Sequence, residues 1–466
     1  MQIPFDNTYA NLPKHFHYMQ TAEPVSNPAL IAWNNDLARE LGIVARDDAE
    51  IAGVFSGNQT ANGSASLAQA YSGHQFGYFN PQLGDGRALL LGEVIDRSGT
   101  RRDIQLKGSG RTPFSRRGDG RAWLGPVLRE YLVSEAMHAM GIPTTRALAA
   151  VSSGDPVYRE TILPGAVLTR VARSHLRVGT FQYFAHRRDT EGLQTLFTYA
   201  RDRHYPDAET PLDFLNCVIA AQARLIAKWM GVGFIHGVMN TDNCSISGET
   251  IDYGPCAFMD AYHPMCVFSS IDQHARYAYA NQPDIIVWNM AQLATSLVPL
   301  MPDQEDAVKV FTEAIHAMPQ MIQNEWAAVF AAKLGIAEPT ETDAQLARDL
   351  LNFAHSYEMD FTILFHDLIS QCESITETEN SDLNQWLTRW HAETEGRRDQ
   401  VLMRQSNPAV IPRNHQVEAV ITAAVNGDFD PFHDMLGAVT RPFETHADYM
   451  APPKPHEVVQ ATFCGT

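Results

Sequence analysis

Apolar residues fall in two textures along the chain. Between about residues 84 and 175 they form short runs broken by turn residues, and beyond that they recur at helical spacing. The runs RALLLGEVI and RDIQLKG, separated by Asp96-Arg97-Ser98-Gly99, predict an antiparallel hairpin. Leu124 to Met140 carries Leu128, Tyr131, Leu132 and Met137 at helical spacing and stops at Gly141-Ile142-Pro143. TRALAAVSS and AVLTRVA then predict two more strands. Leu212 to Met230 is a long amphipathic run ending at Gly231, and past residue 280 nearly everything reads as helix, with no internal repeat and no low-complexity stretch. Ahead of the strands, Asn27 as N-cap, Pro28, the series Leu30, Trp33, Leu37 and Leu41, and Gly42 as stop predict a helix packed outside the main core. The tail MAPPKPHEVVQATFCGT, with three prolines, predicts an extended surface segment.

Charge refines this picture. The net charge of −19, from 54 acidic and 35 basic residues, repels phosphate backbones and argues against nucleic acid as a partner. Arginine is nonetheless concentrated between Arg87 and Arg203, which predicts a local anion site inside an acidic protein. No uninterrupted apolar run of about 18 residues suggests a membrane span, and the opening residues lack a secretion signal. The six cysteines show no short metal-type spacing, so a reducing compartment, the cytoplasm, is expected.

The richest segment interrupts the helical part. His236-Gly237-Val238-Met239-Asn240-Thr241-Asp242-Asn243 has the length and end residues of a kinase catalytic loop, HRDLKxxN, and Asp252-Tyr253-Gly254 stands where a kinase has DFG. Asn243 and Asp252 are nine residues apart, and a hairpin, CSIS then GE then TI, would fold one beside the other as oxygen ligands for Mg2+ or Mn2+ on nucleotide phosphates. The kinase base position is occupied by Val238, which accepts no proton. Asp242 is the nearby carboxylate, either a displaced base or a turn cap. Lys107 and Glu130 follow the order of the kinase Lys–Glu pair, although charges on strands and helices are more often merely solvated. Gly84-Asp85-Gly86-Arg87 could cradle phosphate with backbone N–H groups or be a plain hairpin turn, and Asp119-Gly120 could fold over a nucleotide or be a solvated turn. Arg170 and Arg177 could grip a terminal phosphate, while exposed arginines often hold nothing specific.

YSGHQFGYFNPQLGDGRALLLGE, QLKGSGRTPFSRRGDGRA, REYLVSEAMHAMGIPTTRALA, GFIHGVMNTDNCSISGETIDYGP and NPAVIPRN resemble the selenoprotein-O family of pseudokinase-like protein adenylyltransferases, over nearly the whole chain. The resemblance implies ATP bound in a flipped orientation, with Lys107, oriented by Glu130, and Arg170 and Arg177 on the phosphates. It further implies that Gly84, Gly86, Arg87, Asp119 and Gly120 line the pocket, Asn243 and Asp252 bind metal, and Asp242 accepts the proton. The implied activity is transfer of AMP to Ser, Thr or Tyr of protein substrates with release of pyrophosphate, UTP being a second possible donor. The implied fold is α+β, a two-lobed protein-kinase-like fold with N- and C-terminal extensions. It divides into an extension at 1–80, a strand-rich lobe at 81–175, a helical lobe at 176–450 and a tail at 451–466. A kinase with a displaced base and an inactive nucleotide-binding scaffold stay open beside it. Where some members carry selenocysteine this chain has Cys464, and a thiol on the tail could reach Cys266, after the Asp252 motif, as a redox pair.

Overall fold

The first two apolar runs do close a hairpin. Ala88–Ile95 (β6) pairs antiparallel with Arg101–Lys107 (β7), and in the turn the Asp96 carboxylate accepts from the amides of Ser98 and Thr100, both at 2.9 Å. The computed structural model describes residues 1–463. The hairpin is the middle of an eight-stranded sheet with β1 (His17–Met19), β2 (Ala29–Trp33), β3 (Leu67–Gln69), β8 (Ala122–Trp123), β9 (Arg146–Tyr158) and β10 (Ile162–Ala172). Its order is β1-β3-β6-β7-β10-β9-β2, with β8 on β10, and every pairing is antiparallel. Two-stranded pairs are formed by β4 (Gly73–Gln75) with β5 (Tyr78–Asn80) and by β11 (Phe234–Ile235) with β12 (Ala257–Phe258).

The helices are α1 (Asn35–Glu40), α2 (Asp48–Phe55), α3 (Leu124–Ala139), α4 (Val178–His186), α5 (Thr190–His204), α6 (Pro211–Gly231), α7 (Gln282–Leu297), α8 (Gln304–Lys333) and α9 (Glu341–Ser356). They continue with α10 (Phe361–Asp367), α11 (Ser381–Glu393), α12 (Gln400–Ser406), α13 (Asn414–Val425), α14 (Asp430–Val439) and α15 (Ala447–Met450). The chain is therefore mixed α and β, with an antiparallel sheet preceding a mostly helical part. None of the described helices is long and apolar enough to cross a membrane.

The sheet buries one face under α1 and α2, where Leu37, Ile51 and Phe55 meet Ile104, Leu106, Val151 and Val167. Over the other lies α3, whose outer side packs on α13 and α14 through Leu128, Tyr131, Val417, Ile421 and Phe432. Thus α3 is buried along most of its length, Arg129, Glu130, Ser134 and Glu135 included.

Three expectations are corrected. The helix expected from Pro28 to Leu41 is instead β2 followed by α1, and the N-cap is Asn34, whose side chain accepts from the Leu37 amide at 3.0 Å. The apolar spacing suited a helix, but the open edge of β9 offered unpaired N–H and C=O groups and β2 took them. The hairpin expected over CSIS-GE-TI does not form. Ser245 bridges to Arg177 and Thr250 to Thr144, so that segment is stitched to the sheet-side chain rather than to itself. The tail is not wholly on the surface, because Thr462 is buried, donates its amide to the Phe268 carbonyl at 2.6 Å and its hydroxyl to the Pro255 carbonyl at 2.6 Å.

Lys333, at the end of α8, is buried between the rings of Phe361 and Phe365, its Nζ 4.4 Å from the nearer centroid, and burial pulls its pKa down to about 7. The unfolded chain titrates this group near 10.4, so between those values the unfolded state holds more protons and stability must rise with pH. We expect Lys333→Met to be more stable than the parent at pH 6 and to lose much of the parent's gain between about pH 7 and 10, measured by urea unfolding. Parallel pH curves for the two proteins would refute the buried neutral amine.

Candidate active site

β7 and β10 are neighbours, with Gln105 opposite Arg170 and Lys107 opposite Leu168, so this register sets two cations on one patch of sheet. Lys107 Nζ donates to Glu130 Oε2 of α3 at 2.6 Å and to Asp252 Oδ1 at 2.8 Å. Arg170 Nη1 donates to the same Asp252 oxygen at 2.7 Å, and its Nε to Gln105 Oε1 at 2.7 Å. Arg177, at the start of α4, brings Nη2 to 3.8 Å from Asp252 Oδ2 and stacks its guanidinium 4.2 Å from the centre of the Tyr71 ring. Both arginines are buried, so neither is the solvated surface charge that the sequence left open. Burial alone would raise the Asp252 pKa, but Arg170, Lys107 and Arg177 hold its carboxyl well below the usual range. Asp252 adopts φ +63°, a left-handed conformation that Asp and Asn tolerate best among side chains.

The loop bearing the other candidate residues hangs between β11 and β12. His236 is buried, stacked on Trp229, with Nε2 2.9 Å from the Ile251 carbonyl, which ties the loop to the chain just before Asp252. Val238 is buried, and its carbonyl accepts from Asn243 Nδ2 at 3.0 Å. A single 3-10 turn, Thr241–Asn243, presents Asp242. Its Oδ2 accepts from Gln75 Nε2 at 3.1 Å, while Oδ1 is buried with no partner. Burial pushes the Asp242 pKa up to about 6, the reverse of Asp252.

These groups line one cavity of about 880 Å³. Gly84, Gly86, Arg87, Lys107, Asp119, Gly120, Arg170, Arg177, Asp242, Asn243 and Asp252 all face it, and Glu130 stands behind Lys107. Nine Lys and Arg side chains line it against four carboxylates, Asp85, Asp119, Asp242 and Asp252, in a protein of net charge −19. An excess of cations of this kind suits a compact polyanion. Its oxygen donors, Asp252 and Asn243, are the kind that hold a cation whose other positions are filled by water and phosphate oxygens. Among the described residues no cluster of three or more His, Cys, Asp or Glu supplies a cation site made wholly of protein groups.

Some sequence readings need adjustment. In Gly84-Asp85-Gly86-Arg87 the amides of Asp85 and Gly86 are already spent on the carbonyls of Gln69 at 3.0 Å and Gly84 at 2.8 Å, so two of the four N–H groups expected to cradle phosphate are engaged. The Asp119 carboxylate is held by Arg159 at 2.8 and 3.2 Å, an ion pair across the cavity mouth. A Cβ on Gly120 would fall 2.0 Å from the Gly110 carbonyl oxygen, so the loop closes only with glycine there. Cys266 is half-buried outside the cavity lining, its thiol pushed up to about 12 by burial, and Cys464 lies outside the described residues. Sequence reasoning missed Asp85, buried and 3.5 Å from Arg177, along with Gln105, Tyr71 and Gln75. For Tyr71 and Gln75 the string YSGHQFG was the available signal, and Asp85 stood inside the glycine loop already singled out.

Asp252→Asn keeps the shape and the left-handed backbone but leaves Lys107, Arg170 and Arg177 facing too little negative charge. We expect it to cost on the order of 3–5 kcal/mol in urea unfolding, the usual effect of removing one partner from a buried ion cluster, and pyrophosphate to restore part of the loss. A loss within error would show that the cluster is already balanced by Glu130 and Asp85.

Comparison with known proteins identifies the family. Residues 1–440 match the family model described as Protein adenylyltransferase SelO. Proteins named "Protein nucleotidyltransferase YdiU" from Ruegeria sp. (strain TM1040) and Ruegeria pomeroyi are each 57% identical, over all of this chain and 100% and 99% of their own lengths. One of the same name from Roseobacter denitrificans is 58% identical over 99% of both chains. With the match running through the sheet, the cavity and the helical part alike, the chain is an enzyme and belongs to the SelO family of protein nucleotidyltransferases.

Proposed function

We propose that the chain has a two-lobed kinase-like fold, binds ATP with Mg2+ or Mn2+ in the cavity between sheet and helices, and transfers AMP to Ser, Thr or Tyr hydroxyls of proteins. The carrying observation is Asp242: a buried carboxylate with one unpartnered oxygen, in the same cavity as Lys107, Arg170, Arg177 and Asp252, while the kinase base position is the apolar Val238. On this reading Lys107, Arg170 and Arg177 hold the phosphates. Glu130 orients Lys107, and Gly84, Gly86, Arg87, Asp119 and Gly120 shape the remainder of the nucleotide pocket. Asp252 and Asn243 would hold the divalent cation, which supplies positive charge against the phosphate oxygens when bound.

The hydroxyl oxygen bonds to the α-phosphorus, the bond from that phosphorus to the α–β bridging oxygen breaks, pyrophosphate leaves, and the hydroxyl proton passes to Asp242. UTP in place of ATP would deliver UMP by the same step. The family relationship favours this reading over a kinase with a displaced base or an inactive scaffold. The redox reading also draws support. Thr462 is bonded to Phe268, so the chain two residues before Cys464 runs beside the segment that holds Cys266, and a Cys266–Cys464 disulfide would tether the tail there.

Incubation with α-labelled and, separately, γ-labelled ATP tests the reaction. We expect α-label on protein and none from γ, with intact mass raised by one AMP; γ-label on protein would instead establish a kinase. Asp242→Asn should lower the transfer rate by roughly 10²–10⁴ while nucleotide binding is kept, as for loss of a general base. Collapse of binding together with turnover would make Asp242 a ligand instead.

A further inference from the structure

The motif YSGHQFG has no role in the reaction as described so far, yet the hairpin it forms grips the Asp242 turn residue by residue. His74 donates its amide to Thr241 Oγ1 at 2.7 Å, Gln75 donates Nε2 to Asp242 Oδ2 at 3.1 Å, and Phe76 donates its amide to Asn240 Oδ1 at 3.1 Å. Gln182 of α4 closes the set, accepting from Thr241 Oγ1 at 2.7 Å, with its Nε2 2.8 Å from His74 Nδ1. The hairpin turn needs Phe76 at φ +51° and Gly77 at φ +86°. A bulky residue there is strained. The strain is held by the Asn240 contact and by the Phe76 ring against Tyr277, 5.1 Å between centres, whose hydroxyl also donates to Asn240 Oδ1 at 2.6 Å. Gly73 lets β4 come this close, because a Cβ on it would lie 2.7 Å from Asp242 Oδ1.

We propose that Gln75 is a positioning residue for nucleotidyl transfer: by donating to Asp242 Oδ2 it fixes the orientation of the carboxylate that takes the hydroxyl proton. This rests on the reading of Asp242 as proton acceptor. The geometry behind it is independent of that reading. Gln75 lines the cavity and its amide donates to Oδ2, while Oδ1 is buried beside Gly73, so the carboxylate's orientation is set by the hairpin that carries both residues.

The test is a double-mutant cycle on the full chain with a fixed protein substrate, reading kcat, KM for ATP and the melting temperature. Gln75→Leu keeps the bulk and removes the donor. It should lower kcat by roughly 10²-fold, the cost of a misplaced reacting group, with KM for ATP and melting temperature unchanged. In an Asp242→Asn background the same substitution should cost nothing further. Gly73→Ala, which crowds Asp242 from the other side without touching Gln75, should likewise lower kcat and spare KM. Full kcat in Gln75→Leu, or an equal loss from it in both backgrounds, would overturn the proposal while leaving Asp242 as base. Full activity of Asp242→Asn would overturn both.

Discussion

Everything at the centre of this protein depends on one carboxylate, Asp252, meeting three cations inside the fold. Lys107 comes from β7, Arg170 from β10 and Arg177 from the start of α4, so the charge cluster pins three separate elements to the chain that follows the Asp242 turn. Paired buried charges contribute little net stability, but an unpaired one there is severely penalised. The cluster therefore acts as a register mark: only the arrangement that brings all four groups together escapes the penalty. Glu130 and Asp85 extend it outward, tying α3 and the Gly84–Gly86 turn to the same point.

Support for the cluster comes from behind. α3 carries Glu130 and is clamped on its outer side by α13 and α14, and Arg129 of α3 forms an ion pair with Glu418 of α13. Where α13 begins, Arg413 is buried against Asp260 and Asp360, pairing with the latter at 2.8 Å, so one helix braces both the Glu130 side and the segment after Asp252. Residues far apart in sequence, including the NPAVIPRN string, thus act on one cavity.

Much of this was legible in the sequence where periodicity and turn chemistry agreed. The β6–β7 hairpin, α3, β9, β10 and α6 all fall where their patterns placed them. What failed did so for tertiary reasons. The apolar series from Leu30 to Leu41 fits a helix as well as the observed strand and helix, and only the waiting edge of β9 decides between them. The CSIS-GE-TI segment has hairpin composition, but Arg177 and Thr144 outbid its own two halves. Candidate site residues were legible through charge and spacing, whereas Gln75, Gln105 and Tyr71 are neutral and gain meaning only from what stands across from them.

The two aspartates show how one fold sets opposite chemistry on identical side chains. Asp242 is buried, Asp252 is half-buried, and both line the cavity, yet Asp252 is held ionised and Asp242 is lifted to about 6. The difference is the company each keeps: Asp252 pairs with three cations, whereas Asp242 is bonded by one neutral amide and feels Arg177 too weakly to offset its burial. A carboxylate surrounded by cations is a poor proton acceptor and a good anchor for positive charge. One that is desolvated and sparsely bonded takes up a proton more readily than it would in water, which is what a general base working near neutral pH requires. On the proposed reading, moving the base from the buried Val238 position to Asp242 puts it under the β4–β5 hairpin, whose Gln75 amide bonds it without neutralising it.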